Sequence, residues 1–575
     1  MRTPPVPLRL VAAAAAVAAA ICLVAPVGPA CAADQPLDLP AAGQPLPYRW
    51  VYIERSLSRN EDVTAIAALL KRAAAHGFNG MVFASQLVSL DLEPPAFFTR
   101  LDAVKKIAAQ LHIAIVPLIF SAGYGNAILH HDRNLAEGFL VKDQPFDVKN
   151  GEAHPLPDPN LALPDGGLED WKKDEARGWT FQDDPGVVSF RDDKIFHGGQ
   201  SSLRFEHFEK DKRGRGRLFQ DLTVTPHRCY VLSFWVKTKD LAPAGNFEVG
   251  ATGEDGRELI YADTPVAATQ DWQVMRIVFN SGEAKKINLH IGGEGFKSGA
   301  FWLDDIAIEE PGLVNFLRRP GTPLTVKNAQ DGTVYTEGRD FEPLRDTDLS
   351  FKPDHKAIPI ILTKDSRIPD GAKLLVSFYH GLRLKKGQVS ICMSEPAVYR
   401  IWATQAKLLK EHLGCNTFML DMDEIRECGT CQADADRKIS QAEQLGDCIT
   451  QQVAILRKEV PGCMVLCWSD MLDPNQNCRN RYFMTAGDYT GAWKYVPKDL
   501  VIVCWDEDIA AKSLAHFSSL GMHTFAAAYY DADDLAGTRD WLAALRKTPG
   551  AEGIIYTTWE DRYKLLEDFG DLVSK

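Results

Sequence analysis

The hydrophobic period of this chain switches twice, and that switch constrains the fold more than any other feature. From residue 48 to about 134, short apolar runs at 49–53, 80–83 and 113–120 alternate with segments 63–76 and 98–111, whose apolar residues recur at helical spacing. Strands alternating with helices of this length read as βαβ units on a parallel sheet. The rhythm stops near residue 149. Between about 160 and 310 come short alternating runs at 201–207, 217–224, 229–238, 246–251, 273–279, 286–292 and 300–309, with turn residues between them. Many short strands at regular spacing predict an all-β sandwich. A proline-bearing connector, 318–359, follows.

The βα rhythm then resumes, with strands expected at 374–380, 417–421, 463–468, 500–505, 523–528 and 553–558 and helices at 397–413, 441–459 and 535–545. Three strands before the sandwich and about six after it predict an α/β fold: a (β/α)8 TIM-like barrel interrupted by a jelly-roll-type β-sandwich. The competing open, doubly wound sheet would need a phosphate-type Gly-rich turn to serve a nucleotide enzyme. Neither GxGxxG nor a P-loop occurs. The expected division is barrel over 45–148 and 360–575, inserted sandwich over 150–312 and connector over 313–359.

The first residues predict export. Arg2 and Arg9 precede an Ala-rich apolar run, and Ala30-Cys31-Ala32 supplies small residues for cleavage, so residues 1–32 read as a signal peptide. The mature chain is expected in the periplasm or outside the cell. No later segment has the roughly twenty apolar residues that a membrane span requires. The charge balance, 64 Lys+Arg against 77 Asp+Glu, argues against nucleic acid or an anionic membrane as partner.

Nine of the 12 cysteines fall between Cys392 and Cys504, and Cys428-Gly-Thr-Cys431 forms a CxxC. In an exported chain cysteines favour disulfides, and the pairing stays open. A zinc site is the competing reading, but no second CxxC or nearby His pair completes one. No metal and no cofactor are expected on these grounds.

Barrel enzymes place their chemistry at the C-terminal ends of the strands. Here those ends read Asp421-Met422-Asp423-Glu424, Trp468-Ser469-Asp470, Trp505-Asp506-Glu507, Tyr529-Tyr530-Asp531 and Trp559-Glu560-Asp561. Any one tryptophan has an ordinary explanation in core packing, and an acidic pair can simply cap a helix. Four successive strand ends that combine an aromatic with a carboxylate suit a sugar, whose CH faces stack on rings while its hydroxyls donate to carboxylates.

In order and spacing these motifs resemble the β-N-acetylhexosaminidases of glycoside hydrolase family 20, over most of both βα segments. The resemblance rests on Asp423-Glu424, Trp468, Trp505, Tyr529-Tyr530-Asp531, Trp559-Glu560-Asp561, and Arg49 with Glu54-Arg55. Two motifs depart from it: Leu420-Asp421-Met422 replaces the family's His-x-Gly-Gly, and Ser121-Ala122-Gly123-Tyr124 lacks the His of its Pro-Gly-His turn. The sandwich resembles jelly-roll carbohydrate-binding modules through 197–205 and Trp302-Leu-Asp-Asp-Ile306.

The resemblance implies an exo-acting hydrolase of an oligosaccharide or polysaccharide, working by substrate-assisted retention. Glu424 would be the acid and base, and Asp423 would orient the acetamido group. Arg49, Trp468, Trp505, Tyr529, Asp531, Trp559, Glu560 and Asp561 would bind substrate. Two other readings stand beside it. One is a hydrolase of another glycoside that uses separated carboxylates, Glu424 with Glu560 or Asp470. The other is a glycan-binding protein without turnover.

Overall fold

The computed structural model describes residues 37–575 apart from residue 42; the expected signal peptide lies outside the described residues. Eight parallel strands close into a barrel. They are β1 (Tyr48–Glu54), β2 (Gly80–Ala84), β3 (Ala114–Ile119), β4 (Thr417–Leu420), β5 (Met464–Trp468), β6 (Val501–Cys504), β7 (Thr524–Ala527) and β8 (Ala551–Tyr556). Tyr48 pairs with Gly553 to close the ring. Ile119 pairs with Leu420, so β3 and β4 are neighbours despite nearly 300 intervening residues.

Alternation along each strand separates two cores. Trp50, Tyr52, Val82, Val116, Met419, Leu466, Trp468, Val503 and Phe525 fill the barrel interior. Val51, Ile53, Met81, Phe83, Phe418 and Val465 face outward, toward the helices. This inside–outside alternation is what a closed barrel demands of every strand.

The flanking helices are α1 (Asn60–Ala75), α2 (Pro95–Gln110), α3 (Pro396–His412), α4 (Gln441–Glu459), α5 (Ala510–Ser519), α6 (Ala536–Leu545) and α7 (Leu566–Val573). Proline opens α2 and α3, where its missing N–H costs nothing. Between β5 and β6 the chain runs as turns and 3₁₀ segments, Asp470–Leu472 and Ala492–Lys494. The full (β/α)8 repeat expected from the sequence is therefore not completed.

The excursion between β3 and β4 holds the antiparallel sheets. A five-stranded sheet (Gln270–Asn280, Cys229–Ala242, Ser298–Glu309, Ser202–Glu206, Ser189–Asp192) and a four-stranded one (Phe247–Gly253, Lys286–Gly293, Gly216–Thr223, Phe181–Gln182) make up the sandwich. Phe205, Leu218, Leu232, Phe234, Leu289 and Phe301 are buried in its core. Its two singled-out motifs meet: Asp304 Oδ2 accepts from the backbone N–H of His197 at 2.7 Å and of Gly198 at 3.2 Å.

One expected barrel strand belongs elsewhere. Lys373–His380 is antiparallel to Phe139–Lys149 in a separate six-stranded sheet that also takes in Thr325–Asn328 from the connector. Leu374, Val376 and Phe378 pack on Val141, Phe146 and Phe316, and only Tyr379 joins the core around the barrel. The barrel thus has three strands before the excursion and five after.

The ten cysteines among the described residues are free. The expected structural disulfide, whose pairing the sequence left open, is not formed among the described residues. Cys428 Sγ instead accepts from Gln441 Nε2 at 2.6 Å, and Cys431 turns toward Cys392. No described helix is long and apolar enough to cross a membrane.

Candidate active site

Beyond β4 the chain leaves the barrel through Asp421, Met422, Asp423 and Glu424. Glu424 sits at φ 46°, a left-handed conformation that costs a non-glycine residue on the order of 1–3 kcal/mol unless its surroundings enforce it. They do. Its N–H donates to Asp470 Oδ2 at 2.9 Å, and its carbonyl accepts from Gln388 Nε2 at 2.8 Å. Gly123 packs against the same turn, where a Cβ would lie 2.6 Å from the Asp423 carbonyl oxygen.

The two acids have opposite surroundings. The Glu424 carboxylate accepts from Tyr124 Oη and pairs with Arg426 at 2.7 Å. Tyr124 thus supplies a donor to Glu424 from the turn that follows β3. Arg426 is itself fixed: Nη1 donates to Gln388 Oε1 at 2.7 Å, and its guanidinium lies 4.9 Å from the Tyr261 ring and 5.0 Å from the Phe483 ring. Tyr261 comes from the sandwich. Its carbonyl also accepts from Lys385 N at 2.9 Å.

Asp423 has no such cation. Its Oδ1 is buried without a hydrogen-bond partner. Burial, then the charges of Asp421, Asp470 and Glu424, push its carboxyl well above the usual range. Burial also pushes Asp421 and Asp470 up to about 6 each, against the hydrogen bond from Trp468 Nε1 to Asp421 and that from Glu424 N to Asp470. Such a cluster titrates as a unit and holds protons into the neutral range.

That arrangement sets a pH dependence of stability. An unfolded aspartate titrates near about 3.9. Because Asp421 and Asp470 are raised in the folded state, their contribution is full below about pH 4 and is lost as pH rises through about 6. A two-unit rise corresponds to about 3 kcal/mol for an isolated group, shared here among coupled acids. Asp421→Asn is expected to narrow the loss of melting temperature between about pH 5 and pH 8 relative to the parent. Parallel melting curves for the two proteins would remove Asp421 from the linkage.

The wall opposite is aromatic. Trp468 donates from Nε1 to Asp421 Oδ1 at 3.2 Å and lies 5.9 Å from Trp559. Trp559 meets Tyr52 at 5.3 Å and Tyr530 at 6.1 Å, and Tyr530 stacks on Trp505 at 6.3 Å. Trp559 and Tyr530 remain exposed, 40 % and 53 %, as a ring-stacking surface requires. On the other side of the acids, a cavity of about 380 Å³ is lined by Glu54, Arg55, Ser121, Tyr124 and Asp421.

Of the residues expected to bind, Trp505 and Trp559 join Asp423 and Glu424 at the mouth, with Trp468, 1 % exposed, beneath them at the top of the barrel interior. Asp531 clamps the loop behind Trp559: it accepts from Thr558 Oγ1 and, at 2.7 Å, from Trp559 N. Four others lie elsewhere. Arg49 stands at the start of β1, about 16 Å from its C-terminal end at 3.3 Å per residue. There its guanidinium donates to the carbonyls of Gly77 and Leu46. Tyr529 faces outward, stacked on Tyr556 at 4.3 Å, and its neighbour Tyr530 takes the inward position. Glu560 turns to solvent and pairs with Arg562 at 2.5 Å. Asp561 is exposed as well.

Sequence reasoning passed over Arg426 and Tyr261, gave Asp421 and Tyr124 no role although it quoted both, and took Asp470 only as an alternative catalytic carboxylate. Asp421 and Asp470 carried a signal, since both follow strand ends. Arg426 and Tyr261 carried none beyond their type.

Residues 165–294 match a family model described as a carbohydrate binding domain. No curated protein matches the chain. Among solved structures, TmCBM61 in complex with beta-1,4-galactotriose aligns at 16 % identity over 26 % of this chain and 96 % of its own, with a TM-score of 0.19. A rhamnosidase from Novosphingobium sp. PP1Y aligns at 10 % identity over 89 % of this chain and 55 % of its own, at 0.31. A beta-N-acetylhexosaminidase aligns at 13 % identity over 33 % of this chain and 45 % of its own, at 0.26. The chain thus spans about half the length of these two enzymes, and at such scores none of the three likenesses bears on fold or function. What the family match establishes is that this chain carries a carbohydrate-binding domain, within the inserted sandwich.

Proposed function

We propose that the chain is an exported glycoside hydrolase that removes terminal N-acetylhexosamine residues from a glycan by substrate-assisted retention. The observation that carries this reading is an adjacent acid pair in opposite electrostatic surroundings, at a barrel mouth walled by Trp468, Trp505, Tyr530 and Trp559. Glu424 protonates the leaving oxygen and then takes a proton from water. Asp423 accepts the acetamido N–H and stabilises the charge that develops as the acetamido oxygen attacks the anomeric carbon. That N–H is a donor of the kind Asp423 Oδ1 lacks. The carbohydrate-binding domain would hold the polymer near the barrel.

One observation favours the reverse division of labour. The Glu424 carboxylate is paired with Arg426 and accepts from Tyr124, while burial, then the charges of Asp421, Asp470 and Glu424, push the Asp423 carboxyl up. Leaving-group dependence separates the two. Aryl glycosides with good leaving groups need no proton, so the variant lacking the acid recovers rate on them and the other variant does not. Recovery in Glu424→Gln supports the first division, and recovery in Asp423→Asn the second. Equal losses on every leaving group would leave neither residue as the acid.

A further inference from the structure

A second cluster, of different chemistry, lies behind the loop that follows Glu424. Glu137, Cys392, Cys431 and Asp434 are all buried, and one donor atom from each lies within 4.8 Å of the others. The two sulfurs are 3.4 Å apart. Asp434 Oδ2 is 3.0 Å from Cys431 Sγ, and Asp434 Oδ1 is 3.6 Å from Cys392 Sγ. Thr430 fixes one oxygen of Glu137, with N at 2.9 Å and Oγ1 at 2.8 Å donating to Oε1. The other oxygen, Oε2, is buried and has no hydrogen-bond donor.

Four groups that can each become anions therefore share one small volume. The nearest guanidinium, Arg319, reaches Cys431 Sγ at 3.5 Å but is already paired with Glu395 at 2.7 Å. Unpaired charge is costly to bury, so the cluster either keeps its protons or takes a cation. Two thiols with two carboxylates are ligands that zinc accepts in a closed, four-coordinate site. Zinc–sulfur bonds of about 2.3 Å and zinc–oxygen bonds of about 2.0–2.2 Å set ligand-to-ligand edges of roughly 3.3–3.8 Å. The three distances above reach that range with shifts of a few tenths of an ångström.

We propose that Glu137, Cys392, Cys431 and Asp434 form a structural site for one zinc-type divalent cation. The CxxC spacing does not announce this site. Only Cys431 of that pair takes part, and the second sulfur comes from 39 residues away. The ion's role follows from where its ligands sit. Cys431 ends the loop that carries Arg426, and Cys392 ends the segment that carries Gln388. Gln388 and Arg426 are two of the side chains that hold Glu424, beside Tyr124 and Asp470. Binding would release protons from the thiols and carboxyls, so affinity falls as the solution is acidified.

Cobalt titration tests this directly. The reduced full-length protein, treated with chelator and desalted, is titrated with Co²⁺ and then with Zn²⁺. One Co²⁺ per chain is expected, with the thiolate charge-transfer and tetrahedral d–d absorption bands, both bleached by an equivalent of Zn²⁺. Cys392→Ser is expected to cut the charge-transfer intensity. Glu137→Gln keeps the side chain's size and guards against a cysteine variant that fails to fold. It is expected to weaken Co²⁺ binding by at least the 10–100-fold, roughly, that loss of an outer-shell partner brings. Three results would each overturn the proposal: no Co²⁺ taken up by the folded, reduced protein; bands unchanged in Cys392→Ser; or a Cys392–Cys431 disulfide found by peptide mapping of the protein as isolated.

Discussion

Glu424→Gln is expected to lower kcat by about 10²–10⁴ while leaving substrate affinity within a few-fold, because the amide keeps the shape and hydrogen-bonding reach of the acid but cannot transfer its proton. Asp423→Asn is expected to be as severe for a different reason. The acetamido group would lose the carboxylate that orients it and balances its developing charge. The two substitutions share one reaction centre, so their effects are not expected to add. Steady-state kinetics of both single variants and the double variant check this. An active enzyme whose rate is unmoved by either change would take the pair out of the mechanism.

Arg426→Met is expected to produce the largest loss of stability. The guanidinium is 8 % exposed and pairs with a carboxylate that is 27 % exposed. Removing one partner of a buried pair costs about 3–5 kcal/mol. Glu424 keeps some contact with water and its bond from Tyr124, which places the expected loss near the lower figure. Methionine retains apolar bulk between Tyr261 and Phe483, so the change tests charge more than packing. Denaturant melts measure the loss. A variant as stable as the parent would mean that Arg426 does not frame Glu424.

The barrel was legible because its strands are short β-branched and apolar runs bounded by turn residues, and because helices fall between most of them. The error at Lys373–His380 has a physical source. The segment is buried on one face along its first half and on both at its end, as a barrel strand could be. Its partner, Phe139–Lys149, lies more than two hundred residues away, and no local pattern announces a pairing across that distance.

The candidate site was legible where chemistry and strand ends coincide, as at Asp423, Glu424, Trp468 and Trp559. It failed where direction mattered. Arg49 looked like part of the site because of its residue type and order, yet position along the strand puts it at the closed end of the barrel. Tyr529 and Tyr530 are chemically identical, and which one enters the mouth depends on a turn at Asp531 with φ 57°. Arg426 and Tyr261 meet only because the sandwich folds back over the barrel, a tertiary event with no signature in either segment.

The central claim is that the substrate's own acetamido group is the nucleophile. The most direct measurement compares kcat/KM for matched aryl glycosides of N-acetylhexosamine and of the plain hexose, on the same purified protein. The account predicts hydrolysis of the N-acetylated glycoside and near inertness of its plain counterpart, together with inhibition by a thiazoline mimic of the cyclised intermediate at least about 10² tighter than by the free sugar. Comparable hydrolysis of the plain hexoside, with covalent trapping by a fluoro-sugar, would contradict it.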